Sequence, residues 1–169
     1  MTHPATILLA TKNRGKLREV RDILAGLFVV WATLDQFPDL PEAVEDADSF
    51  AGNAERKAMH YARLTSLWTL ADDSGLEVDA LGGAPGVYSA RYAGRQGDDA
   101  ANNQKLIAEL AGVPAQQRTA RFRCAIALAC PEGTLATASG SFEGLIVDDP
   151  RGTNGFGYDP HFFIPELGM

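Results

Sequence analysis

Three consecutive segments near the start of the chain constrain the fold most. Thr6-Ile7-Leu8-Leu9-Ala10 is an apolar run of strand length. Leu17, Val20, Leu24 and Leu27 then recur at helical spacing, which predicts an amphipathic helix over roughly residues 16–27. Phe28-Val29-Val30-Trp31 reads as a second strand. Strand, helix, strand in succession predicts an α/β architecture.

At 169 residues the chain suits one domain with a sizeable core. No repeat or linker divides it, so residues 1–169 are expected to form a single domain. No apolar run approaches membrane-spanning length and the N-terminus lacks a signal-peptide core, which predicts a cytoplasmic protein with no membrane partner. The net charge of −7 argues against a nucleic-acid polymer, which requires a basic face. It leaves room for a nucleotide, because a few local cations suffice in a cleft. Cys124 and Cys130 lie on one predicted strand, roughly 20 Å apart, too far to bridge and expected to be buried thiols. His3, His60 and His161 show no metal-ligand spacing, so no zinc site is expected.

Further along, the acidic residues 35–48 contain Pro38 and Pro41 and read as a loop. Ser49 can cap a helix over residues 50–65, on which Asn53 and Lys57 share a face. Residues 75–97 read as an ordered, Gly- and Pro-rich loop, and residues 100–110 as another helix. Strands are expected at 120–129, 135–147 and 162–164.

Asp72 and Asp73 follow the short run 67–71, where a buried strand is expected to open into a loop at Gly75. Adjacent strand residues point to opposite faces, so the two acids cannot enter one core. A carboxylate there can hold a hard cation or orient a water. A solvated turn closing the strand is the competing reading.

Thr11-Lys12-Asn13-Arg14-Gly15-Lys16 joins a predicted strand to a predicted helix, a placement that aims a helix N-terminus at an anion. It departs from a Walker A loop at Ala10 and Leu17. A solvated basic turn is the alternative, but cations at a helix start oppose its dipole unless an anion is present. Among Glu42, Glu45, Asp46 and Asp48, one acid could share Mg2+ with Asp73. In Asn154-Gly155-Phe156-Gly157-Tyr158-Asp159-Pro160 the glycines allow close approach and an aromatic ring could stack on a base, although a hairpin-type turn reads equally well. Arg91, near Tyr88, could contact a ligand or form a surface pair.

Taken in order, Thr11-x-Asn13-x-x-Lys16, Ala71-Asp72-Asp73-Ser74-Gly75-Leu76, the stretch from Gly82-Gly83-Ala84-Pro85-Gly86 through Tyr88-Ser89-Ala90-Arg91-Tyr92, and Gly155-Phe156-Gly157-Tyr158-Asp159-Pro160 resemble one family. It is the inosine triphosphatase (Ham1-like) family of pyrophosphatases for non-standard purine nucleoside triphosphates. The resemblance runs over residues 7–165. It implies a long mixed sheet flanked by helices, with two lobes around a central cleft, and a homodimer. It also implies Mg2+-dependent hydrolysis of ITP, dITP and XTP to the monophosphate and pyrophosphate. On this chain Thr11, Lys12, Asn13, Arg14, Gly15 and Lys16 would hold the triphosphate, with Lys57 adding a phosphate contact. Asp73 would be general base and metal ligand, and Glu45 the second metal acid. Ser74, Phe156, Gly157, Tyr158 and Asp159 would contact the nucleotide.

The chain departs from that pattern twice. Gly52 stands where many relatives carry Glu, and relatives continue beyond Met169 into a Ser-His-Arg motif that reads the base and a final helix. The second departure makes a nucleotide-binding form without turnover an alternative. A Maf-like pyrophosphatase acting on other nucleotides is another.

Overall fold

The first strand–helix–strand segment folds as β1 (Ala5–Leu9), α1 (Arg14–Ile23) and β2 (Val29–Thr33). There follow α2 (Phe50–Thr65), β3 (Trp68–Val78), α3 (Asp99–Glu109), β4 (Thr119–Cys130), β5 (Gly133–Ile146) and β6 (Phe162–Phe163). The computed structural model describes residues 4–169, so His3 lies outside the described residues. Six strands form one mixed sheet in the order β2-β1-β3-β4-β5-β6. β1 pairs in parallel with β2 and β3, and β5 pairs antiparallel with β6. The expected α/β class, a mixed sheet with flanking helices, is the one observed. The chain divides into two units: residues up to Asp73 with Ala125–Ser139, and Ser74–Cys124 with Gly140–Met169.

In the first unit β1 is the buried strand, with Leu8 at 0% and Leu9 at 2% exposure. Its continuation is stitched to β3, where the Ala10 amide donates to the Leu70 carbonyl at 2.8 Å. α2 spans the predicted residues, started by Ser49, whose hydroxyl accepts from the Gly52 amide at 3.1 Å. Ala54, Ala58 and Ala62 lie one turn apart and are wholly buried, so the helix packs closely through a stripe of small side chains. α1 is shorter than its apolar spacing predicts. It ends at Ile23 because the chain turns at Leu24 to Gly26, which leaves Leu27 half exposed.

β3 corrects the sequence reading most. The expected strand stops at Ala71, but the observed one runs on through Asp72, Asp73, Ser74 and Gly75 to Val78. Leu76 and Val78 are fully buried, and that burial carries the extended backbone past the acids. The acids therefore stand inside a strand and not at its opening into a loop.

The second unit is built around Leu76, Val78, Leu106, Leu110, Ala120, Ile146 and Tyr158. The segment 79–97 is ordered, as expected, with short 3-10 helices at Asp79–Leu81 and Gly86–Arg91. Gly75 lets the latter approach β3: a Cβ there would sit 2.6 Å from the Gly86 carbonyl oxygen and 2.3 Å from Ser89 Oγ. Ser89 Oγ instead accepts from the Leu76 amide at 2.8 Å and donates to the Gly86 carbonyl at 2.6 Å.

Candidate active site

β1 and β3 are parallel neighbours, and the connection leaving β1 turns away from β3 towards β2. Crevices beyond the carboxyl ends of such strands are where α/β sheets gather ligand groups. The segment Thr11 to Lys16 leaves β1 at this end, and Asp72 and Asp73 follow Leu70, the residue opposite Leu9.

Asn13 is the cap of α1. Its Oδ1 accepts from the Gly15 amide at 2.8 Å and the Lys16 amide at 3.2 Å, so the first helical donors are satisfied from within the chain. Thr11 Oγ1 accepts from the Asn13 amide at 3.2 Å. The two lysines of the segment reach different acids. Lys12 Nζ lies 2.6 Å from Glu42 Oε1 in solvent, while Lys16 Nζ lies 2.6 Å from Asp72 Oδ2 with both side chains largely buried. Arg14 begins α1 and is exposed.

Alternation along β3 sends the next acid to another helix. Asn53 of α2 donates through Nδ2 to Asp73 Oδ2 at 3.0 Å. The same amide accepts through Oδ1 from the Ala47 backbone at 2.8 Å, and Asn53 is 1% exposed. It thereby ties the acidic segment to β3. One turn along α2, Lys57 Nζ lies 3.1 Å from Glu45 Oε1. Burial is the largest influence on the Asp73 carboxyl and pushes its pKa up. The Asn53 hydrogen bond and the Lys57 charge oppose the shift, Glu45 adds to it, and Lys16 opposes it.

Asp73 and Glu45 offer hard carboxylate oxygens, the donors that suit Mg2+, and the two charges feel each other. Among the described residues no three His, Cys, Asp or Glu side chains gather into a metal cage. Mg2+ is commonly held by one or two carboxylates with phosphate oxygens completing its shell, and the pair fits that arrangement.

In the second unit Ser74 is half buried on β3. The Gly-rich loop presents its aromatic residues differently. Phe156 is 36% exposed, whereas Tyr158 is 5% exposed and donates its hydroxyl to the Ser89 carbonyl at 2.8 Å. Burial pushes the Tyr158 phenol pKa up, so it stays a donor. Asp159 Oδ2 accepts from the Phe156 amide at 2.9 Å. It can fold beneath the loop because residue 155 is glycine: a Cβ there would lie 2.3 Å from that oxygen. Gly157 is held by α3, its amide donating to Asp99 Oδ2 at 2.9 Å and its carbonyl accepting from Asn103 Nδ2 at 2.8 Å. The Arg91 guanidinium lies over the Tyr88 ring, 5.2 Å from its centroid.

The charges of Lys57, Glu45 and Lys16 thus all act on the Asp73 carboxyl, while Lys16 pairs with Asp72 and Lys57 with Glu45. Thr11 and Asn13 serve the start of α1, and Lys12 pairs with Glu42 in solvent. Asn53, Asp99 and Asn103 belong to no motif that marks them as site residues. The helical spacing of Asn53 with Lys57, and of Asp99 with Asn103, is the only mark they leave in the sequence.

Comparison with known proteins adds to this geometry. A model of the Ham1 family matches residues 7–169. A dITP/XTP pyrophosphatase of Geobacter sulfurreducens is 56% identical over 162 residues, covering 96% of this chain and 81% of that protein. One from Desulforamulus reducens is 52% identical, covering 95% of this chain and 80% of that protein. Among solved structures, a HAM1 protein from Coxiella burnetii superposes with a TM-score of 0.87 at 41% identity, over 97% of this chain and 84% of that one. A nucleoside-triphosphatase / dITP/XTP pyrophosphatase from Mycobacterium abscessus gives 0.81 at 44% identity, over 95% and 84%.

Proposed function

This chain belongs to the Ham1 family, and from that premise we propose that it hydrolyses non-standard purine nucleoside triphosphates, ITP, dITP and XTP, to the monophosphate and pyrophosphate. The observation that carries the reading is the buried Asp73 carboxylate, held by Asn53 within the influence of the Glu45, Lys57 and Lys16 charges.

In this reading water attacks the α-phosphorus and the bond to the bridging oxygen of the β-phosphate breaks. Pyrophosphate leaves with that electron pair, and the proton of the water passes to Asp73. A carboxylate whose pKa burial has raised is a stronger base than a solvated one. Asn53 fixes the oxygen Asp73 presents to it, which limits the carboxylate's rotation before substrate arrives. Lys16 and Lys57 bring positive charge to the phosphates, each now balanced by an acid, Asp72 and Glu45. Asp73 and Glu45 would hold Mg2+, which when bound neutralises charge on the phosphoryl oxygens. Ser74 and the loop Phe156 to Asp159 contact the nucleoside, with Phe156 the ring exposed for stacking. Thr11, Lys12, Asn13, Arg14 and Gly15 form the rest of the phosphate-binding segment. We assign the protein to the cytoplasm and a homodimeric state. No helix among the described residues is long and apolar enough to cross a membrane.

The test is ³¹P NMR of products after incubation with Mg2+ and ITP, with ATP, GTP and UTP as controls. Pyrophosphate and IMP from ITP are expected. Orthophosphate would place the scissile bond elsewhere, and pyrophosphate from UTP alone would favour a Maf-like specificity. Binding of ITP without product would leave a nucleotide-binding protein that does not turn over.

A further inference from the structure

The Gly-rich loop is held from beneath by one helix. Asp99 and Asn103 lie one turn apart on α3, so both side chains project to the same side. Asp99 Oδ2 takes the Gly157 amide at 2.9 Å, and Asn103 Nδ2 gives to the Gly157 carbonyl at 2.8 Å. The other Nδ2 proton of Asn103 goes to the Asp99 carbonyl at 2.9 Å. Both polar groups of Gly157 are therefore fixed by a single rigid element. The neighbouring residues are anchored as well, Phe156 through Asp159 and Tyr158 through Ser89. What this anchoring leaves facing outward is the Phe156 ring.

The Asn103 side chain has a further property. Its Oδ1 is the one buried side-chain nitrogen or oxygen without a hydrogen-bond partner among the described residues. An unsatisfied buried acceptor is unfavourable. An amide at this position therefore contributes through its donor side, which is directed at the loop.

We propose that Asp99 and Asn103 are positioning residues for nucleoside binding: by holding both polar groups of Gly157 they set the Phe156 ring for stacking on a purine. The inference rests on the reading of the loop as the nucleoside contact given above. A ring already in place loses little conformational freedom when the base arrives, so the clamp acts on affinity for the nucleoside part of the substrate. It has no reason to act on affinity for phosphates alone.

The experiment compares Asn103→Leu, Asp99→Leu and Asp99→Asn with the wild type. Steady-state kinetics with ITP are measured beside the inhibition constant of inorganic pyrophosphate, which carries no base. In the two leucine variants KM for ITP is expected to rise about tenfold, with kcat changed by less than about threefold. Inhibition by pyrophosphate should stay as in the wild type. Asp99→Asn keeps an acceptor oxygen and should recover most of the affinity lost in Asp99→Leu. An unmoved KM in both leucine variants overturns the proposal. So does an equal loss of affinity for ITP and pyrophosphate, which marks general damage to the fold.

Should the leucine variants fail to fold, hydrogen exchange in the wild type decides. The Gly157 amide should be protected in the absence of nucleotide, and exchange at the rate of an open loop refutes the clamp. A wild type that releases pyrophosphate from ITP while the leucine variants match it in KM defeats this inference alone. A wild type that neither binds nor cleaves ITP defeats the functional reading and the inference with it.

Discussion

Lys16 Nζ lies 2.6 Å from Asp72 Oδ2, with the two side chains only 20% and 12% exposed. The pair joins the first turn of α1 to the middle of β3. It holds in place the lysine proposed above to meet the phosphates. Lys16→Ala is expected to have two separable effects. Asp72 is left as a largely buried charge without this partner, which costs about 2–3 kcal/mol, below the value for a fully buried pair because a fifth of the Lys16 side chain meets solvent. Affinity should also fall more for triphosphate than for monophosphate. Adding Asp72→Asn should restore the melting temperature and not the triphosphate affinity. Thermal melts with ITP and IMP titrations separate the two.

Asp73→Asn is expected to abolish turnover and leave the fold intact, since the amide keeps the shape and an oxygen for Asn53. Pyrophosphate release at the wild-type rate would remove Asp73 from its role.

The same substitution carries a pH signature. The pKa of Asp73 is raised in the folded state, chiefly by burial. Its contribution to stability is therefore fully present below its unfolded pKa and is lost as pH rises through the folded value. Burial penalises the charged form of Asp73, a form that Asp73→Asn lacks. In the presence of chelator the variant should melt at or above the wild-type temperature near pH 7, and the gap should close on acidification. A gap that widens towards acid would contradict this sign.

Gly75→Ala should destabilise the second unit by about 1–3 kcal/mol, because the new methyl would meet the Gly86 carbonyl and Ser89 Oγ. Denaturant unfolding checks this. A neutral result would mean that the turn at Gly86–Arg91 sits farther from β3.

Ser66 ends α2 in the left-handed region, with φ of 58°. Ser66→Gly should stabilise the protein by roughly 0.5–1 kcal/mol, the relief of strain being partly offset by the freedom glycine gains in the unfolded chain. Activity should follow the wild type. A lower melting temperature would refute the cap assignment.

Much of this protein is legible without coordinates. Residues 6–31 announce their strand, helix and strand through apolar periodicity alone, and the Ser49 cap marks the start of α2. These signals are local, since they depend on which side chains recur at a helical or extended repeat. The motif order was enough to suggest the family. The extent of β3 was not legible, because Asp72, Asp73, Ser74 and Gly75 have low strand propensity and only the burial of Leu76 and Val78 carries the strand through them. Nor were the partners of the acids. Asp72 with Lys16, and Asp73 with Asn53, join residues far apart in the chain, and nothing in a local pattern says which helix each face of a strand will meet. The sequence by itself determined the α/β class, the helix limits of α2 and the residue types available for phosphate chemistry. Tertiary structure alone decided that two adjacent acids serve different helices, that Asn53 joins Asp73 to the acidic segment, and that α3 holds the loop of Phe156. Each of these depends on long-range burial and hydrogen bonding, which only the folded chain brings into register.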